Sequence, residues 1–288
     1  MKKFIMLLMF GAFAVSFLAG CGESIEAQQK KGIIFSGDKK KLVKYNFELR
    51  DPKYTIPDGI TTIGEEALSP RPKRETDAPT IAPQSVIIPQ SVTLIENRAF
   101  EKCSPLASVN IPGSVKIIGQ KAFSYCENLD ALTINEGVEM IGNNSFDNTP
   151  IRSIVIPASV NEIGSQAFAF CRGLSDVTFA AGRKGYLTIG AAAFMGTAIK
   201  KIIIPDGVNV ISESAFTHCE NLEEVVLPDS VTEIGKFAFS SCPVLRKINI
   251  GPNVKRIGYG AFDDGITIRV PKGCEVNEKH VKCRIEYY

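Results

Sequence analysis

The chain has no tryptophan and only two histidines, His218 and His280, among its 288 residues. It contains no C-x-x-C, H-E-x-x-H, G-x-S-x-G or phosphate-loop pattern. So little imidazole, with no paired-ligand spacing, speaks against a metal centre and against a histidine-activated nucleophile. No motif is present to hold a cofactor. Adjacent carboxylates such as Glu65-Glu66 and Asp263-Asp264 read as solvated turn charge, not as an acid/base pair. No catalytic residue can be named, and the sequence reads as that of a non-enzyme.

A long apolar run is also missing, except at the start. Phe4 to Leu18 is uncharged, follows Lys2 and Lys3, and leads into Leu18-Ala19-Gly20-Cys21. It is shorter than the roughly 20 residues of a membrane span and ends in small residues, as an export signal over residues 1–20 does. The L-A-G-C ending resembles the bacterial lipoprotein box. That resemblance implies that Cys21 becomes the mature N-terminus and carries lipid, so that only acyl chains would touch the membrane. The expected location is exported and lipid-held, at the outer membrane or cell surface. Residues 21–31 are polar and read as a short tether. Loss of the leader removes two lysines and no acid, leaving 31 basic against 31 acidic residues. A neutral mature chain excludes nucleic acid as a default partner, because such binding needs basic surface.

What the chain has in abundance is one repeated unit. Ser230 to Ile250, SVTEIGKFAFSSCPVLRKINI, has near-copies along most of the sequence. The phenylalanine of its A-F pair recurs at Phe100, Phe123, Phe146, Phe168, Phe194, Phe216, Phe239 and Phe262, at steps of 22 to 26 residues. A period in the twenties marks a solenoid, in which no unit buries its apolar face alone. The repeats occupy residues 54–271 as about nine coils. Residues 32–53 read as a hairpin cap, with Ser36-Gly37-Asp38 as its turn. Residues 272–288 read as a C-terminal cap. A proline-rich insertion at about 69–85 has the composition of a disordered loop. A smaller insertion near 180–185 accounts for the 26-residue step.

The repeat positions have physical meanings. The alternation in Leu222-Glu-Glu-Val225-Val-Leu227 makes one parallel strand per coil, buried on one face. Gly119, Gly142, Gly164, Gly190, Gly235 and Gly258 precede the A-F step, and Glu96 and Ser212 replace glycine in two coils. A helix N-cap accommodates Gly and Ser, so a bend and about one helical turn should follow. Eight exposed phenylalanines would form an apolar patch larger than soluble surfaces tolerate, so that column should be a buried stack. Cys103, Cys126, Cys171, Cys219 and Cys242 share a slot with Thr149, Thr197 and Gly265, which asks for small volume, not sulfur chemistry. Cys274 and Cys283 lie outside this column and could form a disulfide clip in an exported chain.

The pattern V-T-x-I-G-x-x-A-F-x-x-C-x-x-L-x-x-V-x-I-P, nearly complete over 208–228 and 231–250, resembles the BspA-like, or treponemal-type, leucine-rich repeat. The resemblance implies a curved right-handed leucine-rich repeat solenoid with a concave parallel sheet and short helical or 3-10 turns. It also implies a bacterial surface protein of the adhesion or host-protein-binding kind, without assigning any residue a binding role. The outward strand positions supply candidates: Lys201 and Ile203, Glu224 and Val226, and Lys247 and Asn249. They form a plus, minus, plus column beside a partly apolar one, suited to a protein or other cell-surface macromolecule. Cross-strand charge pairing that only holds register would give the same pattern. The earlier coils are small and polar at these positions. The second reading is a glycan- or nutrient-binding accessory lipoprotein. It ranks lower because the outward strand positions carry no aromatic residue.

Overall fold

The computed structural model describes residues 23–70, 82–276 and 283–288. Cys21, most of the proline-rich insertion and His280 lie outside the described residues.

Each repeat makes one coil of a β-solenoid, and each coil has two strands, not one. The long strand carries the expected alternation: in Ala131–Ile134, Leu132 and Ile134 are buried while Ala131 and Thr133 are exposed. It pairs in parallel with Ser108–Ile111 of the preceding coil, Val109 opposite Leu132 and Ile111 opposite Ile134. The second strand is the two-residue x-I step ahead of the glycine column. Ile117–Ile118 pairs in parallel with Met140–Ile141 in the same way. A strand of two residues cannot display an alternation, so it reads as a bend in the sequence.

The short-strand sheet begins in the N-terminal hairpin. Ile34–Phe35 pairs antiparallel with Lys41–Lys44, which then pairs parallel with Thr62–Ile63. Eight strands run in order to Thr188–Ile189, and four more from Val210–Ile211 to Glu275–Val276. The long-strand sheet is divided into pieces of four, two, two and three strands.

The expected helical turns are absent from the described coils. The bends are consecutive β-turns: the Ala122 N–H donates to the Gly119 carbonyl and the Cys126 N–H to the Phe123 carbonyl, both at 3.3 Å. The third residue of each is left-handed, Lys121 at φ 55° and Tyr125 at φ 57°, as in a type II turn. Between them, Lys121, Phe123 and Tyr125 donate their N–H groups to Asn143, Ser145 and Asp147 of the next coil. The turns thus form a third hydrogen-bonded face. Bonding to the neighbouring coil offsets the roughly 1–2 kcal/mol that a side chain costs in the left-handed region.

The glycine column is also not an N-cap. A Cβ on Gly119 would fall 2.6 Å from the Asn97 nitrogen and the Glu96 carbonyl carbon, so glycine is there because two backbones approach closely. Both exceptions use their side chains on the preceding coil. The Glu96 carboxylate accepts the Glu65 N–H at 2.8 Å and meets the Lys41 ammonium, and the Ser212 hydroxyl donates to the Ile189 carbonyl.

The eight phenylalanines form the buried stack the sequence implies. Successive rings lie 4.6–5.5 Å apart, centroid to centroid, and within 13° of parallel. Beside it runs the cysteine column, also buried. The Cys126 and Cys171 thiols donate to the Phe100 and Phe146 carbonyls at 3.1 Å. Thr149 donates to Phe146 at 2.8 Å. The slot therefore takes a small side chain, and where that is Cys126, Cys171 or Thr149 its donor is satisfied by a backbone carbonyl.

Two segments are tied to the solenoid more closely than the sequence suggests. Ile25–Lys30, within the polar tether, is an α-helix capped by Ser24, with Gln28 buried beneath it. The 180–185 insertion is pinned by Arg183, whose guanidinium donates to the carbonyls of Val160 and Pro157.

Candidate partner-binding surface

The long strands display their outward residues in register. In Lys201–Ile203, the fully buried Ile202 lies between exposed Lys201 and Ile203; in Glu224–Val226, Val225 is flanked by Glu224 and Val226 in the same way. Parallel pairing sets Lys201 opposite Glu224 and Ile203 opposite Val226. The Lys201 ammonium and Glu224 carboxylate form an ion pair at 2.9 Å. Lys247 and Asn249 belong to the next piece of sheet, opposite Thr267 and Arg269. Four of the six candidates therefore form one patch, with the other two on the adjoining coil.

The ion pair is not distinctive. Lys116 with Glu139, and Glu233 with Arg256, make the same coil-to-coil contact on the short-strand sheet. Exposed pairs of this kind contribute about 0.2–1 kcal/mol and help hold register. The apolar positions carry more information. Ile203 is 56% exposed, Val226 40%, and Val155 56%. Val155 stands opposite Thr178 on the two-strand piece just before Lys201–Ile203. The row thus runs Val155, Thr178, Ile203, Val226 over four successive coils, beginning earlier than the six candidates suggest. The signal was in the sequence: Val155 occupies the outward position of an alternating strand.

Other candidate residues fall elsewhere. His218 lies on the turn face at φ 59°. Cys274 and Cys283 are both buried, each just ahead of a strand in the C-terminal end. Among the described residues, no group of three or more His, Cys, Asp or Glu side chains could hold a metal ion. No helix among them is long and apolar enough to cross a membrane.

Beyond Tyr287 on the last long strand, exposed aromatic residues also lie on the turns. Tyr125, Phe170, Phe237 and Tyr259 are exposed there. They occupy variable positions of the repeat, outside its A-F column.

These features can be compared with known proteins. The BspA type Leucine rich repeat region matches in six copies, over residues 40–175 and 187–275. Among solved structures, a leucine-rich repeat protein from T. pallidum is 22% identical, with 74% of this chain and 86% of that one covered, at a TM-score of 0.51. One from Bacteroides ovatus is 21% identical, with 89% and 97% covered, at 0.43. A leucine rich cell surface protein from Faecalibacterium prausnitzii is 21% identical, with 88% and 92% covered, at 0.42. No curated protein matches the chain. With its repeats matched over most of its length and the same β-solenoid in its fold, the chain belongs to the BspA-type leucine-rich repeat family.

Proposed function

We propose that the protein is a lipid-anchored repeat protein of the cell surface that binds a protein partner through its long-strand face. The observation that carries this reading is the clustering of the exposed apolar residues Val155, Ile203 and Val226, broken by Thr178, on a long-strand face that also exposes Ile87 further towards the N-terminal end. Lys201, Glu224, Lys247 and Asn249 surround it and would set orientation and specificity, as charged rims do. Cys21 in its L-A-G-C setting supplies the anchor. A stack of coils suits this role because it presents a wide, rigid surface whose variable positions change without disturbing the core.

A pull-down with the chain from residue 22 onward, which keeps every described residue, identifies the partner. Changing Ile203 and Val226 to Asp is expected to abolish capture. Changing Lys201, Glu224 and Lys247 together to Ala is expected to weaken it at least about tenfold, an interface-scale loss. Capture unaffected by both sets would place the interface elsewhere. Labelling with an alkyne fatty acid tests the anchor: the label should disappear, and the protein should leave the membrane fraction, in Cys21→Ser.

A further inference from the structure

We infer that the turn face carries a second binding site, for a neutral glycan chain, centred on Phe237 and Tyr259. It is independent of the protein-binding reading of the long-strand face. Phe237 holds a left-handed position, φ 55°, that in other coils is Glu, Arg, Lys, Asn, Gln, Ala, Ser or Gly. Its ring meets that of Tyr259 edge to face, with centroids 5.3 Å apart and planes at 87°. Both residues are exposed, 37% and 46%. The Phe237 ring lies over Gly260 of the next coil, where a Cβ would come within 2.7 Å of its edge. Glycine there makes room for the ring.

The rings line a cleft of about 550 Å³ that also receives Arg246, Asp263 and Asp264. That size falls in the ~300–1,000 Å³ range of small-molecule sites. Asp263 is held in place by the N–H groups of Ser241 and Cys242, at 2.8 and 2.7 Å. The charges select the occupant. An anion would face two carboxylates, and a cation would face the guanidinium. A neutral polyhydroxylated ligand satisfies both, because its hydroxyls donate to the carboxylates and accept from the arginine. Its C–H face lies against the electron-rich ring faces.

The same combination recurs three coils earlier on the same face. Phe170, also left-handed at φ 58°, lies over Gly196, where a Cβ would come within 2.9 Å of its ring. Arg172, Glu220 and Asn221 line a cleft of about 380 Å³ beside it. Two aromatic, arginine and carboxylate clefts on one side of the rod fit a polymer better than a single sugar.

Affinity electrophoresis of the chain from residue 22, through native gels containing β-glucan, xyloglucan or α-mannan, tests this. Heparin and chitosan serve as charged controls. Retardation is expected in at least one neutral gel, with the affinity reduced at least about tenfold by Phe237→Ala or Tyr259→Ala, as the loss of a stacking ring requires. Lys201→Ala with Glu224→Ala should leave it unchanged, which separates this site from the long-strand face. Thermal unfolding checks that each variant folds. Should Phe237→Ala disturb its turn, Tyr259→Ala, whose ring is exposed, decides alone. The proposal fails if no neutral gel retards the protein, if retardation survives both ring substitutions, or if only a charged polymer binds.

Discussion

The Tyr54 hydroxyl donates a 3.0 Å hydrogen bond to the Gln28 side chain inside the N-terminal end of the solenoid. Gln28 in turn donates to the Thr55 carbonyl at 3.0 Å. These bonds dock the helix Ile25–Lys30 onto the first coil, so residues expected to be tether are part of the cap. Gln28→Leu would leave a buried hydroxyl and a carbonyl without their partner. The expected loss is about 1–3 kcal/mol, read as a lower urea midpoint at unchanged slope.

Phe146 is sandwiched between Phe123 and Phe168, with centroids 5.2 and 5.4 Å away. Phe146→Ala removes a fully buried ring from the middle of the stack. It should cost about 3–5 kcal/mol, measured by equilibrium unfolding. Phe146→Leu should be much milder, since Leu68 already fills the equivalent slot in the first coil, fully buried.

Two glycines should respond oppositely to alanine. A Cβ on Gly142 would lie 2.7 Å from the Gly119 carbonyl carbon and the Ile118 oxygen, both backbone. Gly142→Ala should therefore destabilise by about 1–3 kcal/mol through forced separation of coils. Gly37 has nothing within 4 Å of its would-be Cβ and no positive φ, so Gly37→Ala should be neutral or stabilise by up to about 1 kcal/mol. Thermal melts of the two variants make the comparison.

The buried cysteine column predicts both reactivity and pH dependence. Burial pushes the Cys103 and Cys171 thiols up to about 12 and the Cys219 thiol to about 11. Unfolded cysteine titrates near 8.5. Above that pH the unfolded chain gives up protons that the folded chain keeps, so stability is full below about 8.5 and falls as the pH rises towards 11–12. An alkaline series of unfolding midpoints should show that decline, reduced in Cys171→Thr. Iodoacetamide should not label the column in the native protein. We propose that Cys274 and Cys283 form a clip; on that basis unfolding without reductant exposes the five column thiols, and reductant adds two more.

How far the sequence could be read follows from side-chain repetition. Phe239 and its equivalents recur in every regular coil and can serve only as core, so period, stack and family were all visible. The turns were not. Lys121 and Tyr125 adopt φ values that sequence associates with glycine, and the bonds that hold them there reach 22 residues along the chain. The glycine column misled because Ser212 fits an N-cap as well as it fits a close contact it relieves by bonding to Ile189. The helix at Ile25–Lys30 did leave a trace, since Ser24 accepts the Ala27 N–H as an N-cap, but a six-residue polar helix has no apolar stripe to announce it. Val155 and Phe237 were hidden differently. They occupy positions free to vary, and only the exposure of one and the neighbours of the other give them meaning.

The insertion near Arg183 coincides with a division of both sheets. Around it, the long strands Asp176–Phe179 and Lys201–Ile203 belong to different sheet pieces, and so do the short strands Thr188–Ile189 and Val210–Ile211. The turn face has no such gap: Phe168 bonds to Ala193 and Phe194 to Ala215, with the rings still 5.5 Å apart. At these coils the turn side is bonded without a break, while the sheet side is divided, with the Ser212 hydroxyl still donating to the Ile189 carbonyl across the division. Among the described residues this is the one interval at which both sheets are divided, so a partner gripping both Val155 and Ile203 would bridge two sheet pieces rather than rest on one.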